Sequence, residues 1–334
     1  MSTVLLVTRD AEDFIRDALN ALLAQSMRSF HIHVLDAGSK DNTPHILEAY
    51  AERYPGRFTL DLRKDRSFPR EHHYLELMTQ CRDDYIFLCD QDDVWKFDKM
   101  ARSLQAMYEA EERAREDLAQ EEYDPSEKSG PLRLGGKTDS MQQEKPILVY
   151  TDVEVCERFM SMKIPAWSKT QDTVPILELK SALYSNDVFF ATVLYNRALA
   201  EKFQEIPAYV LNAGWWASLT ALLYGEKVFL PRPLLNFREH DGENAKWATP
   251  ESRAKKTEKA FSFKESHAFL RETYRQAGCF LGQYEEDMDR SQIEMFQRYA
   301  KLGIENFRGR KTLLREEKFW RKGFFWKIRQ IFCG

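Results

Sequence analysis

Four short β-rich runs, at residues 3–7, 31–35, 58–62 and 85–89, are each followed by a segment of helical periodicity. This alternation limits the fold more than any other feature, because parallel strands need long crossovers and helices usually supply them. Between the first two runs, Phe14, Ala18 and Leu22 stand beside Ile15, Leu19 and Leu23 at the i, i+4 spacing of a buried helical face. Asn42 or Thr43 is placed to cap a second helix, which carries Ile46, Leu47, Tyr50 and Tyr54 and stops at Pro55-Gly56. The pattern predicts a third helix over residues 69–81. The resulting βαβαβαβ order predicts an α/β fold: a mainly parallel central sheet with helices on both faces and ligands at the carboxyl ends of its strands.

The chain's 334 residues suffice for one large domain or two. A hydrophobic content of 43% with only 14 glycines and 12 prolines excludes disordered and collagen-like classes. The net charge of −4 gives no general field for nucleic acid, so none is expected as a partner. Five scattered cysteines without a C-x-x-C pair suggest neither a disulfide framework nor a zinc site, and fit a reducing cytoplasm. The first apolar run ends at Arg9-Asp10 without a basic segment before it, so it reads as a strand rather than a secretory signal. The longest apolar stretch, residues 188–195, is far shorter than the ~18–20 residues of a membrane span.

Residues 109–127 hold nine acidic residues and two arginines, and Pro/Gly-rich segments follow up to Ile147. We expect an exposed helix end and a flexible charged insertion over about 109–146. Strand-like runs return at residues 147–151, 188–195 and 227–230, and beyond Trp247 the chain turns helical, charged and aromatic. The expected division is a domain over 1–245 and a C-terminal helical appendage over 246–334.

The most informative stretch is Tyr85-Ile86-Phe87-Leu88-Cys89-Asp90-Gln91-Asp92-Asp93-Val94-Trp95. A buried strand here delivers three carboxylates to its carboxyl end, where their repulsion is costly unless a cation offsets it. Oxygen ligands of this kind suit Mg²⁺ or Mn²⁺. The bland alternative is an acidic turn in which Asp92 or Asp93 caps the next helix. Asp36-Ala37-Gly38-Ser39-Lys40-Asp41-Asn42-Thr43 ends the second strand and puts another carboxylate and a Gly-Ser turn on the same sheet edge.

With these motifs the sequence resembles the family 2 glycosyltransferases of the GT-A nucleotide-diphosphosugar fold, in particular their bacterial rhamnosyltransferase-like branch. The matching features are Leu23-Ala24-Gln25-Ser26, Asp36-x-Gly38-Ser39-x-Asp41-x-Thr43, Asp90-Gln91-Asp92-Asp93-Val94-Trp95 with Asp98-Lys99, Trp215-Trp216 and Asn236-Phe237-Arg238-Glu239-His240. The resemblance covers residues 2–245. It implies an inverting, metal-dependent transfer of a sugar from a nucleoside diphosphate donor, a dTDP- or UDP-sugar, to a glycan or lipid-linked glycan in surface polysaccharide assembly. It also implies that Asp36, with Ser39 in its turn, meets the donor base or ribose, that Asp92 approaches ribose or metal, and that Asp93 is the direct ligand beside Asp90. Arg238 and His240, two apart on an extended segment, face the same way. Arg238 is expected to hold a phosphate and His240 to complete the metal shell, the bland alternatives being an arginine that only pairs with Asp or Glu and a histidine that fills surface or core. Trp215 and Trp216 either stack on a sugar or pack in the core at a helix start.

The chain also departs from its relatives. Where they commonly carry an aspartate base before the paired tryptophans, this chain reads Asn212-Ala213-Gly214, and glycine cannot take a proton. Asp187, Asp152 and Glu205 are the candidate replacements, and Asp152 matches an aspartate usual in the relatives. Arg9-Asp10 replaces an aromatic residue and asparagine, Ala37 replaces the second of two acids, and Arg70, Glu71, His72 and His73 stand where an asparagine is usual. A catalytically silent nucleotide-sugar-binding or scaffold protein is therefore the rival reading. A nucleotidyltransferase is disfavoured, because no Gly-rich phosphate loop follows the first strand. At the C-terminus, Trp320, Phe324, Ile328 and Ile331 recur at helical spacing beside Arg321, Lys322, Lys327 and Arg329. This pattern over 319–332 is expected either to touch the inner face of the plasma membrane peripherally or to pack on the catalytic domain.

Overall fold

The computed structural model describes residues 1–121, 144–156, 163–165, 175–238, 263–321 and 324–333. The parallel core is built from β1 (Ser2–Thr8), β2 (His31–Ala37), β3 (Phe58–Arg63) and β4 (Tyr85–Cys89), joined by α1 (Ile15–Leu23), α2 (Thr43–Arg53) and α3 (Arg70–Gln80). β5 (Val94–Trp95) and the long α4 (Lys99–Glu121) follow. Then come β6 (Ile147–Cys156), β7 (Lys163–Pro165), α5 (Leu179–Tyr184), β8 (Leu194–Asn196), α6 (Arg197–Ala200), α7 (Ala213–Tyr224) and β9 (Glu226–Arg238). Four helices complete the chain: α8 (Phe263–Tyr284), α9 (Arg290–Lys301), α10 (Phe307–Glu317) and α11 (Phe324–Cys333).

The strands form one sheet in the order β3-β2-β1-β4-β8-β6-β9-β5, with β7 on β6. β1 to β4 pair in parallel, β8 is antiparallel to both β4 and β6, and β9 is parallel to β6. β1 to β4, β6 and β9 therefore run one way and end at one edge. The sheet's two faces follow the period of two. Leu5, Val7, Ile86, Leu88, Leu148 and Tyr150 face α3, α5, α7 and the C-terminal helices. Val4, Leu6, Phe87, Cys89, Ile147 and Val149 face α1, α2 and α4.

Local chemistry explains the boundaries. In α1, Ile15, Ala18, Leu19 and Leu22 are buried, the stripe a helix needs to lie on a sheet. Pro44 opens α2, and Gly56 takes φ +78 just beyond its end. Pro231 and Pro233 interrupt β9 where its register with β6 shifts, so their missing N–H groups cost no ladder bond.

The predicted 188–195 strand is shorter and later than expected. Phe190–Thr192 forms a 3₁₀ turn, and only Leu194–Asn196 pairs in the sheet. Its continuous apolarity reflects burial on both sides rather than strand length, a confusion that periodicity cannot resolve. Part of the expected insertion is the end of α4, which continues to Glu121, while residues 122–143 lie outside the described residues. The C-terminal helices share one core with the sheet: Trp216 packs edge-on against Phe280 at 4.9 Å, and Trp215 stacks on Phe269 at 6.4 Å.

Candidate active site

The loops after β1, β2, β4 and the end of β9 converge at the carboxyl edge. The turn after β2 is tied by Asp36, whose Oδ1 accepts the Ser39 N–H at 2.8 Å and whose Oδ2 accepts the Ser39 and Thr8 hydroxyls at 2.5 and 2.9 Å. Gly38 makes this turn at φ +80, and a Cβ there would stand 2.9 Å from Arg66 Cγ and 3.1 Å from two carbonyl oxygens. The loop after β1 is fastened to the same turn. The Asp10 N–H donates to Ser39 Oγ at 2.8 Å, and Ala11 N–H to Thr43 Oγ1 at 2.8 Å. Asp10 itself has φ 49, and the Arg66 guanidinium with the Lys40 N–H holds its carboxyl below the usual range. Arg9, which replaces the relatives' aromatic residue, donates to the carbonyls of Ala37 (3.0 Å) and Phe68 (2.8 Å). These bonds fasten the loop after β1 to the β2 turn and to Phe68.

One ligand oxygen each from Asp90, Asp92 and Asp93 lies within 4.8 Å of the others. Asp93 is 1% exposed. Its Oδ1 accepts the Arg238 N–H at 3.2 Å and its Oδ2 has no hydrogen-bond partner. Burial, with the charges of Asp92 and Asp90, pushes its carboxyl well above the usual range. Asp90 is pushed up to about 6, mainly by burial, with Arg70 opposing. Both rises come first from burial, with the repulsion between neighbouring carboxylates adding to it. A buried orphan oxygen among three convergent carboxylates is a donor set that a hard divalent cation fits.

The predicted ligands are not equivalent. Both oxygens of Asp90 are engaged by Arg70, at 2.7 and 2.8 Å, so Asp90 anchors the loop to α3, while the open coordination capacity lies with Asp93. Arg238 is 5% exposed. Its guanidinium donates to the Asp92 carbonyl and the Asp17 carboxylate, both at 3.0 Å, and packs over Phe14 at 4.8 Å. This arginine braces the acidic loop. His240 lies outside the described residues.

The base candidates separate. Asp187 is buried against Lys227 Nζ at 2.5 Å and also accepts from Tyr150 Oη at 2.5 Å and the Ile176 N–H at 2.8 Å. Its carboxylate is committed to a buried ion pair. Glu205 follows α6, beyond the end of β8 that pairs with the start of β4, and so lies off the opposite edge of the sheet. That corrects its expected place near the site. Asp152 sits at the β6 irregularity, 1% exposed, with its Oδ1 on the Val153 N–H at 2.7 Å. Trp215 and Trp216 are 2% and 1% exposed, and the Trp215 indole donates to the Ala182 carbonyl at 2.6 Å, so packing rather than sugar stacking describes them. At Gly214 a Cβ would meet Phe190 Cα at 3.1 Å.

Sequence reasoning missed several groups. Tyr74 donates its hydroxyl to the Cys89 carbonyl at 2.6 Å and accepts the Val7 N–H at 3.2 Å, clamping β1 to β4. Lys99 is fully buried, its Nζ 3.7 Å from the Trp95 ring centroid and without a hydrogen bond, and burial lowers its pKa to about 7. The Asp98-Lys99 pair was part of the matching motif, but nothing in its spacing showed that this lysine points inward.

The C-terminal pattern also turns inward. Arg321 is 1% exposed, Arg329 is buried, and Trp320 and Ile331 pack on the core, while Lys318 in the left-handed conformation ends α10 and separates this segment from it. Of the stripe expected to face either lipid or protein, Trp320 and Ile331 thus pack on protein, while Lys322 and the Phe324 side chain lie outside the described residues. No described helix is long and apolar enough to cross a membrane.

Comparison with known proteins agrees with this architecture. An uncharacterized protein of Mycobacterium tuberculosis and one of Mycobacterium bovis are each 24% identical over 245 residues, covering 71% of this chain and 58% of theirs. The chain thus spans little more than half the length of these relatives. Among solved structures, S. aureus TarS 1–349 in complex with UDP-GlcNAc has a like fold, with a TM-score of 0.51 at 14% identity over 91% of this chain and 71% of that one. Residues 3–144, which hold the Asp36 turn and the Asp90–Asp93 cluster, match the family described as glycosyl transferase family 2.

Proposed function

We propose that this protein is an inverting glycosyltransferase that moves a sugar from a nucleoside diphosphate donor to a hydroxyl of a saccharide or lipid-linked saccharide, in surface polysaccharide assembly at the inner face of the plasma membrane. The observation that carries the proposal is the orphan Asp93 oxygen in a three-carboxylate cluster at the carboxyl edge of a family 2 domain. A cation held there by Asp93 and Asp92, Mg²⁺ or Mn²⁺, would neutralise diphosphate charge as the leaving group departs.

The chain's own residues supply the frame. Arg70 and Arg238 fix the acidic loop from two sides, and Asp36 and Ser39 form the turn against which the nucleoside would lie. Rhamnose from a dTDP donor is the proposed sugar, after the branch that the sequence resembles, with a UDP-sugar as the alternative. Asp152 is the proposed base, since Asp187 is ion-paired and Glu205 lies off the other edge. We assign donor chemistry to residues 1–245 and a supporting role to 246–334. The test is incubation with dTDP-rhamnose or UDP-sugars, Mn²⁺ and glycan acceptors. Metal-dependent release of nucleoside diphosphate, lost in Asp152→Asn with nucleotide binding retained, supports the assignment; release of pyrophosphate contradicts it.

One observation favours a second reading, a silent nucleotide-sugar-binding protein: position 214 holds a glycine that cannot take a proton, and an added Cβ there would fit only tightly, 3.1 Å from Phe190 Cα and 3.3 Å from Asn212 Oδ1. Tight nucleotide binding without turnover of any donor supports that reading.

A further inference from the structure

We infer that the C-terminal helices carry a docking surface for an anionic membrane, centred on Ile304, Phe307 and Phe332. This surface is not the stripe of Trp320 and Ile331, which packs on the core. Ile304, Phe307 and Phe332 are 87%, 45% and 61% exposed, and the two phenylalanine rings lie 5.2 Å apart. Single exposed apolar residues are ordinary on a soluble protein, whereas large ones gathered on one surface mark an interaction site.

Charge identifies the occupant. Residues 301–333 contain ten basic and three acidic residues; Arg310, Arg321 and Arg329 are buried, and among the described side chains Lys301, Arg308, Lys311, Arg315, Lys318 and Lys327 reach the surface, a local excess of positive charge within a chain whose total is −4. Two of those acids are already paired, Glu305 with Lys301 at 3.1 Å and Glu317 with Arg298. Arg308 and Lys327 are exposed, and Lys311 lies one helical turn from Phe307. Exposed apolar side chains on a segment rich in exposed cations match the boundary between acyl chains and anionic headgroups, where burial and electrostatic attraction add. A second copy meeting the same patch by twofold symmetry would set these exposed cations against their like, which disfavours self-association. The surface stands independently of the donor chemistry, so either assignment can fail alone.

The test is co-sedimentation of the full chain with phosphatidylcholine vesicles, with and without phosphatidylglycerol, at low and high salt. The expected result is binding only to the anionic vesicles, weakened by salt and by about fivefold for each cation removed in Arg308→Gln, Lys311→Gln and Lys327→Gln. Ile304→Glu with Phe332→Glu is expected to abolish binding while circular dichroism and nucleotide titration stay unchanged. Failure to bind anionic vesicles, or wild-type binding by the Glu variant, overturns the inference. So does concentration-dependent self-association that Ile304→Glu removes, since the patch would then join copies of the chain.

Discussion

Asp187 and Lys227 pair at 2.5 Å with side chains only 3% and 0% exposed, so removing one partner strands a charge where water cannot reach it. Breaking such a pair typically costs about 3–5 kcal/mol. In Lys227→Met, Asp187 would keep the Tyr150 hydroxyl and the Ile176 N–H, which places the expected loss near the lower end, about 3 kcal/mol. Against a total stability of about 5–15 kcal/mol this is large, and it should lower Tm by roughly 4 °C. Asp187→Asn should cost a similar amount by stranding Lys227. The double variant should recover most of the loss, because two neutral side chains of similar shape replace two charges. Urea unfolding of the four proteins gives the coupling energy directly, expected at about 2–3 kcal/mol. Two results refute the reasoning: Lys227→Met within about 1 kcal/mol of wild type, or Asp187→Asn that keeps its stability but loses turnover. The second would restore Asp187 as the acceptor base.

Three further outcomes follow from the site. Gly38→Ala forces a Cβ to within 2.9 Å of Arg66 Cγ at φ +80 and should cost about 1–3 kcal/mol, read by thermal denaturation. Lys99 has a native pKa of about 7 against 10.5 when unfolded, so between those values the unfolded chain binds one more proton. Stability should therefore rise with pH above 7, by up to about 1.4 kcal/mol per unit, and Lys99→Met should flatten that slope; a slope unchanged in the variant contradicts the burial argument. Arg238→Met removes the donor to the Asp92 carbonyl and should weaken Mn²⁺ binding by about tenfold or more, measured by Mn²⁺ paramagnetic resonance.

The fold was legible because its signals are local. Strands of alternating burial, helices with a single apolar stripe, and Pro55-Gly56 as a stop all reappear within a residue or two of their expected places. The 188–195 segment was not legible, since an apolar run buried on both sides reads alike as a strand or as a turn packed in the core. In the site, the convergence of Asp36 and the Asp90–Asp93 cluster followed from strand direction, which sequence order gives. The partners did not follow: Arg70 on Asp90, Asp17 on Arg238 and Lys227 on Asp187 are contacts between residues far apart in the chain. Such pairings depend on which face of an element meets which neighbour, and no local pattern encodes them. The tryptophans show the same limit, for an indole that packs and one that stacks on a sugar have the same sequence signature.

The central claim is a donor site built on Asp93, and isothermal titration of the protein with UDP, dTDP and GDP, with and without Mn²⁺, tests it most directly. The account predicts metal-dependent binding of one nucleotide, lost in Asp93→Ala while the variant stays folded. Binding of none of the three under either condition, or equal binding by Asp93→Ala, would contradict it.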